Sequence, residues 1–251
     1  MPKTESKLIR VHYLQHDDFV RPAETDTWAR QKGHPVTRSK LLPDRDGLRH
    51  EANTFPDPAS FDLLIIFGGT MSTYDDKEFR WLTNEKKFVE RTVQSGKAVY
   101  GICMGAQMLA AVLGANVYRN RYKEVGWHEV TLTPEAARSQ VFGILPDRFM
   151  AMHWHGDVFD IPRDCTRIAF SEATPNQAFE YDSRIFATQF HPEYNLQSVE
   201  EGIQYTPEDL NCSAYAQSAE EILKNRHYFP AMHEKLFTIL DGIETVVLSL
   251  K

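Results

Sequence analysis

Short apolar runs alternate along this chain with stretches in which apolar residues recur every three to four positions. That alternation predicts strands and helices packed in layers. Leu8 to Leu14 is the first strand expected, followed by a helix that stops near Gly33 and a weaker strand from Val36 to Leu42. Asp44 to Ser60, rich in Pro, Asp and Asn, is expected as a loop. The run FDLLIIFGG is apolar at nearly every position, as in a strand of a parallel sheet buried on both faces. Glu78 to Gln94 carries Trp81, Leu82, Phe88, Val89 and Val93 at helical spacing, and Gly96 ends it. Ala98 to Ile102 then predicts a buried strand and Met104 to Leu113 a helix.

After Gly114 the pattern shortens. Val125 to Thr133, Thr166 to Ser171, Ala178 to Tyr181 and Arg184 to Phe190 are expected as strands, with a hairpin turn at Asp182-Ser183. From Asn195 the period becomes helical again. Ser218 and Glu221 have capping-box spacing, and Leu236 to Leu250 forms an apolar stripe. That stripe is expected to pack on the same domain, or else on a second subunit in a homodimer. The expected organisation is a catalytic unit over residues 1–195 and a helical extension over residues 196–251 of the same domain.

Composition narrows the function. The 251 residues are 42% hydrophobic and 25% charged, with net charge -7. An acidic chain lacks the basic surface that nucleic acid requires. Three cysteines, Cys103, Cys165 and Cys212, form neither a disulfide framework nor a zinc pattern and suit a reducing cytoplasm. No apolar run has the length of a membrane span, and the first residues lack the apolar stretch of a signal peptide.

The chemistry concentrates in four short stretches. In KAVYGICMGAQMLAAVLG, Gly101 and Gly105 flank Cys103 where a strand meets a helix. A small-x-nucleophile-x-small turn pushes its central side chain out at the sheet edge. The helix N-terminus favours thiolate, and the Met104 N–H would face an oxygen that becomes negative. Read alone, the stretch fits either this nucleophile or a buried structural cysteine. In ATQFHPEYN, His191 and Glu193 share one face if the segment is extended, so Glu193 can orient a His191 base. Gly68-Gly69-Thr70-Met71-Ser72 ends a strand and can offer a second oxyanion donor, or be a plain turn. In MHWHGDVF, His153 and His155 alternate with Asp157 nearby. Without a third ligand at suitable spacing no metal is expected there, and Gly156 is read as a turn lining the substrate.

Together GICMGAQ, QFHPE and IIFGGTMS resemble the class I glutamine amidotransferases, the Cys-His-Glu family, over roughly Leu8 to Asn195. EVGW and HWHGD look most like its stand-alone GMP-synthase-like members. The resemblance implies an α/β three-layer sandwich, flavodoxin-like, with a mostly parallel central sheet, extra antiparallel strands and a helical C-terminal extension. It implies Cys103 as nucleophile, His191 as base and Glu193 as its orienter. Gly69 and Met104 would supply the oxyanion N–H groups, and Gln107, Trp154 and His155 would line the substrate pocket. The substrate would be glutamine or another γ-glutamyl compound, with no cofactor. Two departures matter. Thr70 stands where many relatives have Pro, and no phosphate-binding glycine loop is present. The chain would therefore serve a separate ammonia-accepting synthetase, or hydrolyse γ-glutamyl bonds as a peptidase on its own. A silent scaffold is the third alternative. Other cysteine-elbow families place a His directly after the Cys; here Met104 follows.

Overall fold

A computed structural model describes residues 7–41 and 55–251. In chain order its regular elements are β1 (Val11–Gln15), α1 (Glu24–Lys32), β2 (Val36–Lys40), β3 (Leu63–Ile66), α2 (Trp81–Gln94), β4 (Ala98–Ile102) and α3 (Met104–Val112). The second half adds β5 (Val117–Leu132), β6 (Arg148–Phe159), β7 (Thr166–Phe170), β8 (Ala178–Tyr181) and β9 (Ile185–Thr188). It closes with α4 (Leu196–Tyr205), β10 (Tyr215–Ala216), α5 (Ala219–Lys224) and α6 (Phe229–Ser249).

Among the described residues the strands form one sheet in the order β10-β5-β7-β8-β9-β4-β3-β1-β2, with β6 paired to β5. The stretch β2-β1-β3-β4-β9 is parallel. The β9-β8-β7-β5 side and the β5–β6 pair are antiparallel. The inner parallel strands β1, β3, β4 and β9 are buried on both faces because each face carries helices, while β2 at the edge is partly exposed. Leu63 and Ile65 of β3 join a cluster with Trp28 of α1 and Leu236, Ile239 and Leu240 of α6. Leu64 and Ile66, pointing the other way, join Leu82 and Phe88 of α2 and Met108 and Leu109 of α3. That alternation makes the apolar run of β3 and the three layers one and the same fact. A third cluster seats Trp127 and Met152 of the β5–β6 pair against Ile222, Phe229 and Met232 of the C-terminal helices.

The expected elements are present with shifted ends. α1 stops at Gly33, which takes the left-handed conformation with φ 75°. Asp182 and Ser183 both have positive φ, as a primed hairpin turn between β8 and β9 requires. Ser218 and Glu221 form the capping box of α5. The expected loop over 44–60 lies partly outside the described residues; its end, Pro58–Ser60, is a turn of 3-10 helix. The apolar stripe of α6 packs on the chain's own sheet, with Leu236, Ile239, Leu240 and Ile243 fully buried. Those residues are therefore not available as a dimer surface.

Three expectations change. β5 begins at Val117, not Val125, because its exposed first half is polar and pairs only with β6. MHWHGDVF is not a turn: it lies within β6, and Gly156 sits opposite the register irregularity between Arg119 and Glu124. β9 ends at Thr188, so His191-Pro192-Glu193 is a turn beyond the strand.

Candidate active site

The parallel strands end on one edge of the sheet, and the candidate residues gather there. β4 runs into α3 through Cys103, whose backbone has φ 54° and ψ -110°. A non-glycine residue in that region carries strain of about 1–3 kcal/mol. Crowding explains the flanking glycines. A Cβ on Gly101 would lie 2.5 Å from the Gly105 carbonyl oxygen, and one on Gly105 would lie 2.1 Å from that of Ile66. Strand and helix thus cross at backbone contact distance. Thr188 O accepts from Cys103 N at 2.8 Å, which ties the elbow to β9. Met104 opens α3, so its N–H has no partner within the helix. The Cys103 Sγ lies 3.8 Å from the Trp154 carbonyl oxygen.

His191 reaches the same point from the turn after β9. Its N–H donates to Met152 O at 2.8 Å, which anchors that turn on β6. Its ring is buried, and Nδ1 lies 2.7 Å from Glu193 Oε1. The side chains meet because Pro192 bends the chain, rather than because they share a strand face. Burial alone would push the imidazole pKa down, but the Glu193 and Cys103 charges outweigh it, with hydrogen bonds to both side chains, and hold it up at about 10. Tyr194 covers the ring at a centroid distance of 4.0 Å.

The Gly68-Gly69 turn lies against both. A Cβ on Gly68 would meet His191 Cε1 at 3.1 Å and Cys103 Cβ at 3.5 Å. Two buried residues after β1, which no local motif singles out, fix this turn. Thr70 N–H donates to Asp17 Oδ2 at 2.7 Å. His16 Nδ1 lies 3.2 Å from the Gly68 carbonyl oxygen, and its Nε2 lies 2.7 Å from Glu85 Oε1. Burial raises the Asp17 pKa, offset in part by the Thr70 N–H. A proline at position 70 could not make the Asp17 bond. The departure at Thr70 is thus matched by a clamp of its own. Adjacent His-Asp beside the first strand was the available signal, but its partners lie 52 and 53 residues away.

A cavity of about 450 Å³ opens over Cys103 and His191. Gly69, Met104, Gln107, Trp154, His155 and Gly156 line it, while Glu193 stands behind His191. The Gln107 amide nitrogen is already committed to Asp157 O at 3.1 Å and Gln189 Oε1 at 3.2 Å. The rim comes from Phe19, stacked on Tyr205 at 5.1 Å, and from Asp209, which accepts from Trp154 Nε1 and Lys123 Nζ. A wider depression of about 780 Å³ surrounds Arg21, Arg30 and Arg38 near α1 but contains none of the candidate residues. The smaller cavity is the candidate site, because Cys103, His191, Gly69 and Met104 converge there.

His153 and His155 do not line up with Asp157 as ligands. Asp157 turns to Ser72 Oγ, and the two histidines instead meet Glu124 of β5, with His155 Nε2 3.2 Å from Glu124 Oε2.

Known proteins give the arrangement a context. The sequence profile of class I glutamine amidotransferases matches residues 44–206. The chain is 27% identical over 240 residues to a glutamine amidotransferase-like protein, YfeJ, of Salmonella typhimurium, covering 94% of this chain and 97% of that one. It is 32% identical over 134 residues to a glutamine-hydrolysing GMP synthase subunit of Thermoplasma acidophilum, covering 53% of this chain and 63% of that one. Among solved structures, a glutamine amidotransferase from Thermotoga maritima superposes with a TM-score of 0.81 at 26% identity, covering 94% of this chain and 98% of that one.

Proposed function

The chain belongs to the class I glutamine amidotransferase family, and from that premise we propose that it hydrolyses the γ-amide of glutamine through a thioester on Cys103. His191 takes the Cys103 proton, and the sulfur attacks the amide carbon. The oxygen that becomes negative is held by the Gly69 and Met104 N–H groups. Collapse of the tetrahedral intermediate breaks the C–N bond, and His191 returns its proton to the departing ammonia. His191 then deprotonates a water molecule that attacks the thioester. Glutamate leaves and the thiol is restored. Glu193 keeps the His191 ring oriented and its charge stabilised throughout. Gln107 and the Trp154-His155 backbone line the place of the amino-acid end.

One observation carries this reading. The imidazole beside Cys103 is backed at 2.7 Å by a buried carboxylate, and both charges favour its protonated form. A thiolate–imidazolium pair is the reactive state of a cysteine nucleophile. The ammonia is proposed to pass to a separate synthetase, as the name of the Thermoplasma relative, a synthase subunit, suggests for that protein. The free cysteines suit a reducing cytoplasm. Residues 1–195 are proposed as the catalytic unit. Residues 196–251 complete its core through α6 and its pocket rim through Tyr205 and Asp209.

A γ-glutamyl peptidase activity is the second reading. The cavity volume is in the range that holds drug-sized ligands, wider than a single amino acid needs. Glutamate release from glutamine and from γ-glutamyl dipeptides, measured side by side with Cys103→Ser as control, separates the two. Preference for glutamine supports the first and preference for peptides the second. Inertness toward all of them, with and without candidate synthetases, removes both.

A further inference from the structure

Strands β5 and β6 bring together a second cluster behind the cavity wall that the hydrolysis does not use. Glu124, His153 and His155 are each at most 5% exposed. Their ligand atoms all lie within 4.8 Å of one another. The antiparallel register sets Glu124 directly opposite His155. This is the third ligand that spacing along β6 alone could not supply. We propose that Glu124, His153 and His155, with Gln177, bind one divalent cation of the Zn²⁺ class.

The cluster has unfilled coordination within it. Neither ring nitrogen of His153 has a hydrogen-bond partner, although the residue is fully buried. Buried polar atoms are nearly always bonded, and an imidazole with both nitrogens bare is an exception that needs a cause. His153 Nδ1 lies 3.7 Å and His155 Nε2 3.2 Å from Glu124 Oε2. Gln177 Nε2 lies 2.8 Å from Glu124 Oε2 and 3.5 Å from His155 Nε2. These separations suit the edges of a tetrahedron whose centre is about 2 Å from each ligand. Turning the Gln177 amide over, which gives up its bonds to Glu124 Oε2 and Ser171 Oγ, puts its oxygen at the fourth corner.

The chemistry of the donor set agrees. Two imidazoles, one carboxylate and one amide oxygen make a nitrogen–oxygen set of the kind zinc accepts. Binding forms four metal–ligand bonds, with the lone pair of His155 Nε2 turned to the ion. His155 Nδ1 stays bonded to Asp157 O at 3.2 Å, a support from the opposite side of the ring. Because His155 also lines the cavity, the ion would stiffen the Trp154-His155 segment and would enter from that side.

The test uses the full chain, stripped with a chelator and titrated with Co²⁺ and then Zn²⁺. We expect one Co²⁺ per chain, with the visible bands of a tetrahedral site and no near-ultraviolet thiolate charge-transfer band. Zn²⁺ should displace it and raise Tm by several degrees, reversibly. Glu124→Gln and His153→Gln, each checked for folding by circular dichroism, should abolish the bands. Absence of binding in the wild type overturns the proposal, as does unchanged binding in both folded variants. A thiolate band that vanishes in Cys103→Ser would also overturn it, by placing the ion on the nucleophile instead.

Discussion

Replacing Gly105 by alanine should displace the elbow. An added Cβ would sit 2.1 Å from Ile66 O and 2.7 Å from Ile66 C, whereas ordinary contact begins at 3.4 Å. α3 and β3 must therefore part by about 3.4 − 2.1 = 1.3 Å. Both obstacles are backbone, so no side-chain rotation relieves them. Overpacking of this kind costs about 1–3 kcal/mol, and alanine's better helix propensity returns at most about 1 kcal/mol. We expect a net loss of about 1–2 kcal/mol, or a fall in Tm of about 2–8 °C for a chain of this size. The consequence for catalysis is larger. Cys103 and the Met104 N–H ride on the first turn of α3, and a displacement of about 1 Å can cost 10²-fold in rate. Glutaminase kcat/KM should fall about 100-fold, measured with the denaturation curve on the same preparation. Ala110→Gly in the same helix is the control: it costs about 1 kcal/mol without a clash and should leave turnover near normal. A Gly105→Ala protein that melts and turns over like wild type would refute the crossing-distance argument.

Asp17→Ala should loosen the oxyanion turn by leaving the Thr70 N–H without its acceptor. kcat should fall about 10- to 100-fold with KM little changed, since one weakened oxyanion donor is worth up to about 10²–10³; a KM effect alone would count against the clamp. The His191 pKa is raised from 6.5 to about 10. The stability it adds relative to His191→Gln should therefore be full below pH 6.5 and fade as pH rises toward about 10. Cys103→Ser should lower the His191 pKa seen by NMR, because it removes one of the two charges that hold the proton. Leu240→Ala, at a fully buried position of α6, should destabilise the whole domain by about 2–5 kcal/mol in one transition. A separate, earlier transition would show that α6 is not part of the core.

Much of the parallel half was legible in the sequence because its inner strands are buried on both faces. The run ending in Gly68-Gly69 and the strand from Ala98 to Ile102 announce themselves by composition alone. The elbow was legible because a backbone crossing at contact distance tolerates only glycine at 101 and 105. The long β5–β6 pair was not, since the first half of β5 is polar and partly exposed, and β6 buries His153, His155 and Asp157 where an apolar period would be looked for. Missing β6 as a strand hid the cross-strand partner of His155 and with it the Glu124 cluster. The His16 and Asp17 contacts were hidden for another reason. They join β1 to residues more than 50 positions away, and pairing at that range follows from sheet order rather than local pattern.

The most direct measurement is the intact mass of the protein caught during turnover. Rapid acid quenching with glutamine should show a γ-glutamyl adduct that peptide mapping places on Cys103, not Cys165 or Cys212. A glutamine-mimicking diazo-ketone should label the same residue once per chain. Cys103→Ser should show neither the thioester nor glutamate release. Glutamate production that survives in Cys103→Ser, or an adduct carried by another cysteine, would contradict the account.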